Sequence, residues 1–206
     1  MIRPIALTLA LTLLTALPAA GDGSPLERAI LDELNAARTA PRAFAGHLEE
    51  YRSHFQGTNY LVPGSRTRII TREGTKVVDE AIRFLRRQRP LAPLTWSDGL
   101  SRAAAELVRE QEANGTTGHG SGSTGMRLRI DRQGRWERTI GENVSYGPDE
   151  ARSVVMQLII DDGVPGRGHR KNIYTPSFGV AGAACAPHPV FGTACAIDFA
   201  GGFTDQ

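Results

Sequence analysis

The sequence predicts an α+β fold, and three observations carry that expectation. Helical periodicity dominates the chain as far as about residue 160, and the strand-like segments come late, around two cysteines. Helices and strands do not alternate in the way a parallel α/β sheet requires. The chain has 206 residues, enough for one sizeable core.

The first stretch, residues 1–21, reads as a secretory signal peptide. Arg3 supplies the charged start, Ile5 to Leu17 the apolar run, and Ala19-Ala20-Gly21 a small-residue cleavage site. The apolar run is shorter than the roughly 20 residues a membrane span needs. An uncleaved anchor is the alternative reading. No later stretch is long and apolar enough to span, so no membrane span is expected after processing. The remainder, residues 22–206, is expected to be one domain, secreted or periplasmic.

Pro25 to Arg38 predicts a helix, with Leu26, Ile30, Leu31 and Leu34 at helical spacing, Ser24 as its N-cap and Pro25 at its first position. Ala43 to Phe55 predicts a second, whose His47 and His54 sit among charged residues and read as surface positions. Gln56 to Thr75 reads as a loop with a short hairpin over Thr67 to Thr71. Val78, Ile82 and Leu85 mark a helix stopped by Pro90, and Pro93 to Trp96 reads as extended. Ser97 caps a helix bearing Leu100, Ala103, Ala104, Leu107 and Val108, which ends at Asn114-Gly115. Gly118 to Gly125 is loop. Pro148 suits a first helical turn. Ala151, Val154, Val155, Leu158 and Ile159 then follow helical spacing without a miss, and Gly163 closes the helix. Phe178 to Cys185 and Thr193 to Phe199 read as antiparallel strands around Pro187-His188-Pro189.

The net charge is +2, and Lys76 and Lys171 are the only lysines, so arginine supplies almost all the positive charge. Arg83, Arg86, Arg87 and Arg89 cluster as a solvated helix face does. No nucleic-acid motif accompanies them, and no nucleic-acid partner is expected. Cys185 and Cys195 lie on the two late strands, and export permits oxidation. A bridge across the hairpin is expected, with two buried thiols as the alternative.

The chemistry centres on Asp161 to Asn172. Acids at a helix C-terminus are unfavourable by roughly 0.3–1 kcal/mol each. Asp161 and Asp162 stand there in succession, which suggests a functional constraint or simply turn formation. His169 lies between a glycine and an arginine, and His119 lies between two glycines, where backbone and ligand can approach closely. Imidazoles beside carboxylates suit a metal such as Zn²⁺ and suit general acid–base work equally well. The phosphate-loop lysine, the G-x-S-x-G elbow and H-E-x-x-H are all missing.

Five motifs then occur in order: Leu34-Asn35 with Arg38; Pro93-Leu94-Thr95-Trp96-Ser97 with Leu100; Gly118-His119; Gly141-Glu142-Asn143-Val144; and Gly168-His169-Arg170-Lys171-Asn172-Ile173. Together they resemble the CAP superfamily, the SCP or pathogenesis-related-1-like domain, in its bacterial secreted form. The resemblance covers Leu26 to about Phe203. It implies a three-layer α–β–α sandwich with a mostly antiparallel central sheet, and a cleft lined by two histidines and two acids. His119, Glu142 and His169 match three of those residues. The family's second glutamate follows a helical tryptophan by three positions; here Leu158 and Asp161 stand instead. Helical phase keeps Asp162 open as the fourth residue. The resemblance implies His119 and His169 as metal ligands, with Glu142 and Asp161 or Asp162 as further ligands or as partners that orient the rings. Residues 58–77 match no family motif and read as an insertion that covers or extends the cleft.

Three functions fit this reading. One is a module that binds a small extracellular ligand such as a lipid, glycan or peptide, with or without a divalent metal. Another is a metal-assisted hydrolase or peptidase. The third is a structural or interaction protein with a non-catalytic tetrad. Two rings more than about 8 Å apart would exclude a shared ion, since Zn–N bonds are about 2.0–2.1 Å.

Overall fold

The computed structural model describes residues 23–206; the expected signal peptide lies outside the described residues. The first helix, α1 (Pro25–Thr39), begins at the expected capping box, in which the Ser24 hydroxyl accepts from the Glu27 amide while the Glu27 carboxylate accepts from the Ser24 amide. Next come α2 (Pro41–Ser53) and a small antiparallel sheet of β1 (Phe55–Gln56), β2 (Asn59–Leu61) and β3 (Arg68–Ile70). This sheet replaces the loop expected over Gln56 to Thr75. Its longer hairpin pairs Asn59 with Ile70 and Leu61 with Arg68, a partner too far away for a turn-based reading to find. His47 and His54 are half-buried rather than surface positions, each edge-on to an aromatic ring, Phe44 and Tyr60 respectively.

The chain continues through α3 (Thr75–Arg87), β4 (Thr95–Trp96), α4 (Asp98–Asn114), a 3₁₀ turn (Gly122–Thr124), α5 (Met126–Gln133) and β5 (Gly134–Tyr146). It ends with α6 (Ala151–Ile160), α7 (Gly168–Ile173), β6 (Val180–His188) and β7 (Gly192–Asp205). Pro148 lies ahead of α6, whose N-cap is Glu150.

The main sheet has the order β4-β6-β7-β5, parallel only between β4 and β6. Alternation along β7 explains the layers, because successive side chains face opposite ways. Cys195, Ile197 and Phe199 pack in the core with α1, α2, α3 and α6. Ala194 and Ala196 pack with α4 on the other face, and Ala200 joins Leu100, Ala103 and Ile130 from α4 and α5. The result is an α+β fold in which helices cover both faces of a mostly antiparallel sheet. Gly182 lets α4 approach β6 closely: a Cβ there would lie 2.1 Å from the Ser101 amide nitrogen.

Cys185 and Cys195 sit directly opposite one another on β6 and β7 and form a disulfide. A loop this short contributes on the order of 2–3 kcal/mol in the chain-entropy account. Two residues of the α1 motif tie distant segments together. Asn35 clasps the Leu94 backbone in both directions, at 3.0 and 2.7 Å. The fully buried Arg38 donates to the carbonyls of Ala92, Ile173, Thr175 and Phe178. Arg38 thereby anchors the end of α7, which carries His169. Among the described residues, no helix is long and apolar enough to cross a membrane.

Candidate functional site

A β-bulge sets up the first half of the site. Up to Glu137, β5 pairs with β7 in one register; from Ile140 onward the register has moved by one residue, with Arg138 at φ 65° between. A one-residue slip turns every later side chain to the opposite face. Glu142 therefore stands opposite Asp198; in the earlier register it would face Ile197.

Glu142 and Asn143 then point to opposite faces of β5, and each serves one of the two histidines. The Glu142 carboxylate, 1% exposed, accepts from His119 Nδ1 at 2.8 Å. Its other oxygen accepts from Arg129 of α5. On the opposite face, Asn143 Nδ2 donates to the His169 carbonyl at 3.1 Å, and Asn172 Nδ2 donates to Asn143 Oδ1 at 2.9 Å. The Gly-Glu-Asn motif thus positions one histidine by its side chain and the other through backbone.

His169 takes its orientation from Asp161. That residue caps α6 in the left-handed conformation, at φ 60° and ψ 45°, which aspartate tolerates better than most residues. The expected closing role of Gly163 belongs to Asp161 itself. Its carboxylate, 1% exposed, accepts from His169 Nδ1 at 2.7 Å, from the His169 amide at 2.9 Å and from the Arg170 amide at 3.3 Å. These donors offset the cost of an acid at a helix C-terminus.

Asp162 points elsewhere. Its oxygens accept from the amides of Arg72 and Glu73 at 2.7 and 2.9 Å, so it fastens the foot of the β2–β3 hairpin and meets neither histidine. Helical phase favours Asp162 and the resemblance favours Asp161; the helix ends at Asp161, and beyond that point helical phase no longer applies. Glu73 and Glu80 from the same region grip Arg167, which beside them holds each carboxyl down at about 2 instead of the usual 4.5.

A carboxylate only accepts hydrogen bonds, so each Nδ1 carries the proton, and in the neutral ring each Nε2 then presents a lone pair. Neither Nε2 has a hydrogen-bond partner among the described residues. The ring centroids lie 6.4 Å apart, within the distance at which a shared ligand or ion remains sterically open. Both carboxylates are engaged with ring Nδ1 atoms, and among the described residues no group of three or more His, Cys, Asp or Glu is arranged to hold a metal. The chain therefore offers two imidazole nitrogens. Two are too few for a closed structural zinc site, which takes four ligands from the protein.

Beneath Glu142 lies a buried group that sequence reasoning missed. Arg129 and Asp198 are both 0% exposed. Arg129 donates to the Ala103 and Thr124 carbonyls, each at 2.8 Å, and stands 3.6 Å from Asp198, beyond hydrogen-bond range. The Asp198 oxygens have no partner as a carboxylate. Burial first, then the neighbouring Glu142 charge, push the Asp198 carboxyl well above its ordinary 3.8, against the pull of Arg129. Protonated, Asp198 would become a donor directly opposite Glu142. A lone aspartate in the run Ala194-Cys195-Ala196-Ile197-Asp198-Phe199-Ala200 was the available signal.

Residues 31–197 match the family model described as CAP, Cysteine-rich secretory protein family. No curated protein matches the chain significantly. Among solved structures, the chain is similar to an outer surface protein from Borrelia burgdorferi, with TM-score 0.46, 16% identity, and coverage of 64% of this chain and 89% of that one. It is similar to an extracellular protein containing a SCP domain from Bacillus anthracis, with TM-score 0.45, 19% identity, and coverage of 61% of this chain and 39% of that one. For a cysteine-rich secretory protein from Staphylococcus aureus the values are 0.41, 14%, 65% and 41%. At these scores and identities, the structural likenesses carry no functional weight.

Proposed function

The chain belongs to the CAP family of cysteine-rich secretory proteins, and from that premise we propose that it is a secreted or periplasmic binding protein. Its cleft takes a small extracellular ligand, of lipid, glycan or peptide class, at the imidazoles of His119 and His169. One observation carries this reading: each ring is fixed through Nδ1 by a buried carboxylate, which leaves an unengaged Nε2 on both. Such nitrogens accept hydrogen bonds from ligand hydroxyls or amides.

A divalent ion such as zinc would be held by the Nε2 atoms of His119 and His169. Glu142 and Asp161 would orient the rings, as carboxylates behind metal-bound imidazoles commonly do. Such an ion, when bound, would supply a Lewis-acidic attachment point for a ligand oxygen. Titration calorimetry with Zn²⁺ at neutral and mildly acidic pH, on wild type and on His119→Ala and His169→Ala, tests this part. Binding should weaken at the lower pH, because ligation needs neutral imidazole. It should vanish in both variants while the fold persists. Equal affinity in all three proteins would place the metal elsewhere.

A further inference from the structure

The insertion carries a surface that the cleft does not explain. Its β2–β3 hairpin is fastened at the foot. Thr71 N donates to the Thr58 carbonyl at 2.9 Å, Asp162 accepts the two amides that follow, and Tyr60 stacks on Tyr51 at 4.1 Å between centroids. Beyond the foot every residue from Pro63 to Ile70 is exposed. Ile70 is 81% exposed and Ile69 48%, two of the few large apolar side chains left in water among the described residues.

Charge around these isoleucines has one sign. From His54 to Arg72 the chain contains Arg66, Arg68 and Arg72 and no acid. Neither Arg66 nor Arg68 has an ion pair among the described residues. The acids near the foot are mostly engaged: Asp79 with Arg52, Glu73 with Arg167, and Asp162 with backbone amides, while Glu50 lies towards Tyr60.

We propose that this hairpin docks the protein on an anionic lipid surface, with Ile69 and Ile70 entering the interface and Arg66 and Arg68 meeting the phosphates. The geometry selects the partner. Consecutive strand residues face opposite ways, so Ile69 and Ile70 lie on the two faces of β3. A protein docking on one face would cover one of them, and a strand added along the edge would cover neither. A lipid interface surrounds a projecting hairpin and covers both. Arginine flanking apolar side chains is the pattern that places charge at the headgroups and carbon below them. The inference is independent of the cleft and does not require the ligand proposal.

The test is co-sedimentation of the purified mature protein with two kinds of vesicle: phosphatidylcholine alone, and phosphatidylcholine mixed with phosphatidylglycerol. Binding is expected to the mixed vesicles only, and raised salt should weaken it, because surface charge is screened. Losing each arginine should weaken binding roughly fivefold, from about 1 kcal/mol per basic residue at an anionic membrane. Arg66→Ser/Arg68→Ser should therefore lose on the order of twenty-fold. Ile69→Ser/Ile70→Ser should also bind more weakly, with an unchanged melting curve since both sites are exposed. No binding by wild type, or binding indifferent to both double variants, overturns the proposal. So does a wild-type dimer that either double variant abolishes, since the surface would then serve a second copy.

Discussion

The two histidine–acid pairs reach similar ring geometry by opposite means. Asp161 and His169 are eight residues apart, and backbone does most of the work: amides of α7 bind the carboxylate and the ring closes on it. Glu142 and His119 come from a strand and a glycine loop, and their support is a buried charge cluster with Arg129 from α5 and Asp198 from β7. Exposure follows support, since His169 is 22% exposed and His119 52%. The local pair needs one correct turn. The long-range pair needs four elements, a bulge and a settled proton, so it should be the easier to break and the more sensitive to charge.

The largest effect should come from Arg129→Ala. It leaves Glu142 and Asp198 buried without their cation, and stranding a buried charge costs about 3–5 kcal/mol. Denaturant unfolding measures it, and the His119 resonances should shift while those of His169 stay. A loss below about 1 kcal/mol would mean that Arg129 is dispensable to the cluster.

Asp161→Ala should cost less, about 2–3 kcal/mol, because it strands neutral donors instead of charges. Its spectral effect should be confined to His169 and α7. If the His119 resonances move equally, the two halves are coupled and the contrast fails.

Asp198→Asn should change stability by under about 1 kcal/mol at neutral pH, since burial and the Glu142 charge already favour the neutral form of this carboxyl. The sign follows from linkage. A folded pKa raised above 3.8 gives stability that is present below 3.8 and lost as pH rises through the raised value. Wild type should show that decline and the variant should not. A large loss in Asp198→Asn would show instead an ionised Asp198 paired with Arg129.

The smallest effect concerns the acids that grip Arg167. Glu73 and Glu80, held at about 2, contribute stability above 4.5 that is lost as pH falls towards 2. Both are more than a third exposed, so solvent screens them and the effect is modest. Glu73→Gln/Glu80→Gln should flatten that acid limb of the stability curve. An unchanged limb would assign the acid sensitivity to other carboxylates.

The same contrast explains what was legible in sequence. Helices with strong apolar period, such as α6, read directly, and so did the cysteines, whose two strands follow in immediate succession. His119 and His169 stood out as a pair in glycine-flanked loops with acids to partner them, and Glu142 through the Gly-Glu-Asn motif of the resemblance. Asp161 was favoured by resemblance alone, and helical phase pointed to Asp162 instead, because a left-handed cap reverses direction where helical phase ends. Arg129 was illegible, since an arginine in a short polar helix looks solvated until α5 is known to press it against β7. The β2–β3 hairpin was misjudged in extent for a related reason: the two strands are too short to signal strands alone, and only their pairing makes them so.

The central claim is that each buried carboxylate fixes its ring through Nδ1 and leaves Nε2 with a lone pair. Long-range ¹H–¹⁵N correlation spectra of the histidine rings at neutral pH test it directly. The account predicts that both His119 and His169 populate the Nδ1–H tautomer, and that Glu142→Gln releases His119 from it while His169 keeps it. An Nε2–H tautomer on either ring in wild type would contradict the account.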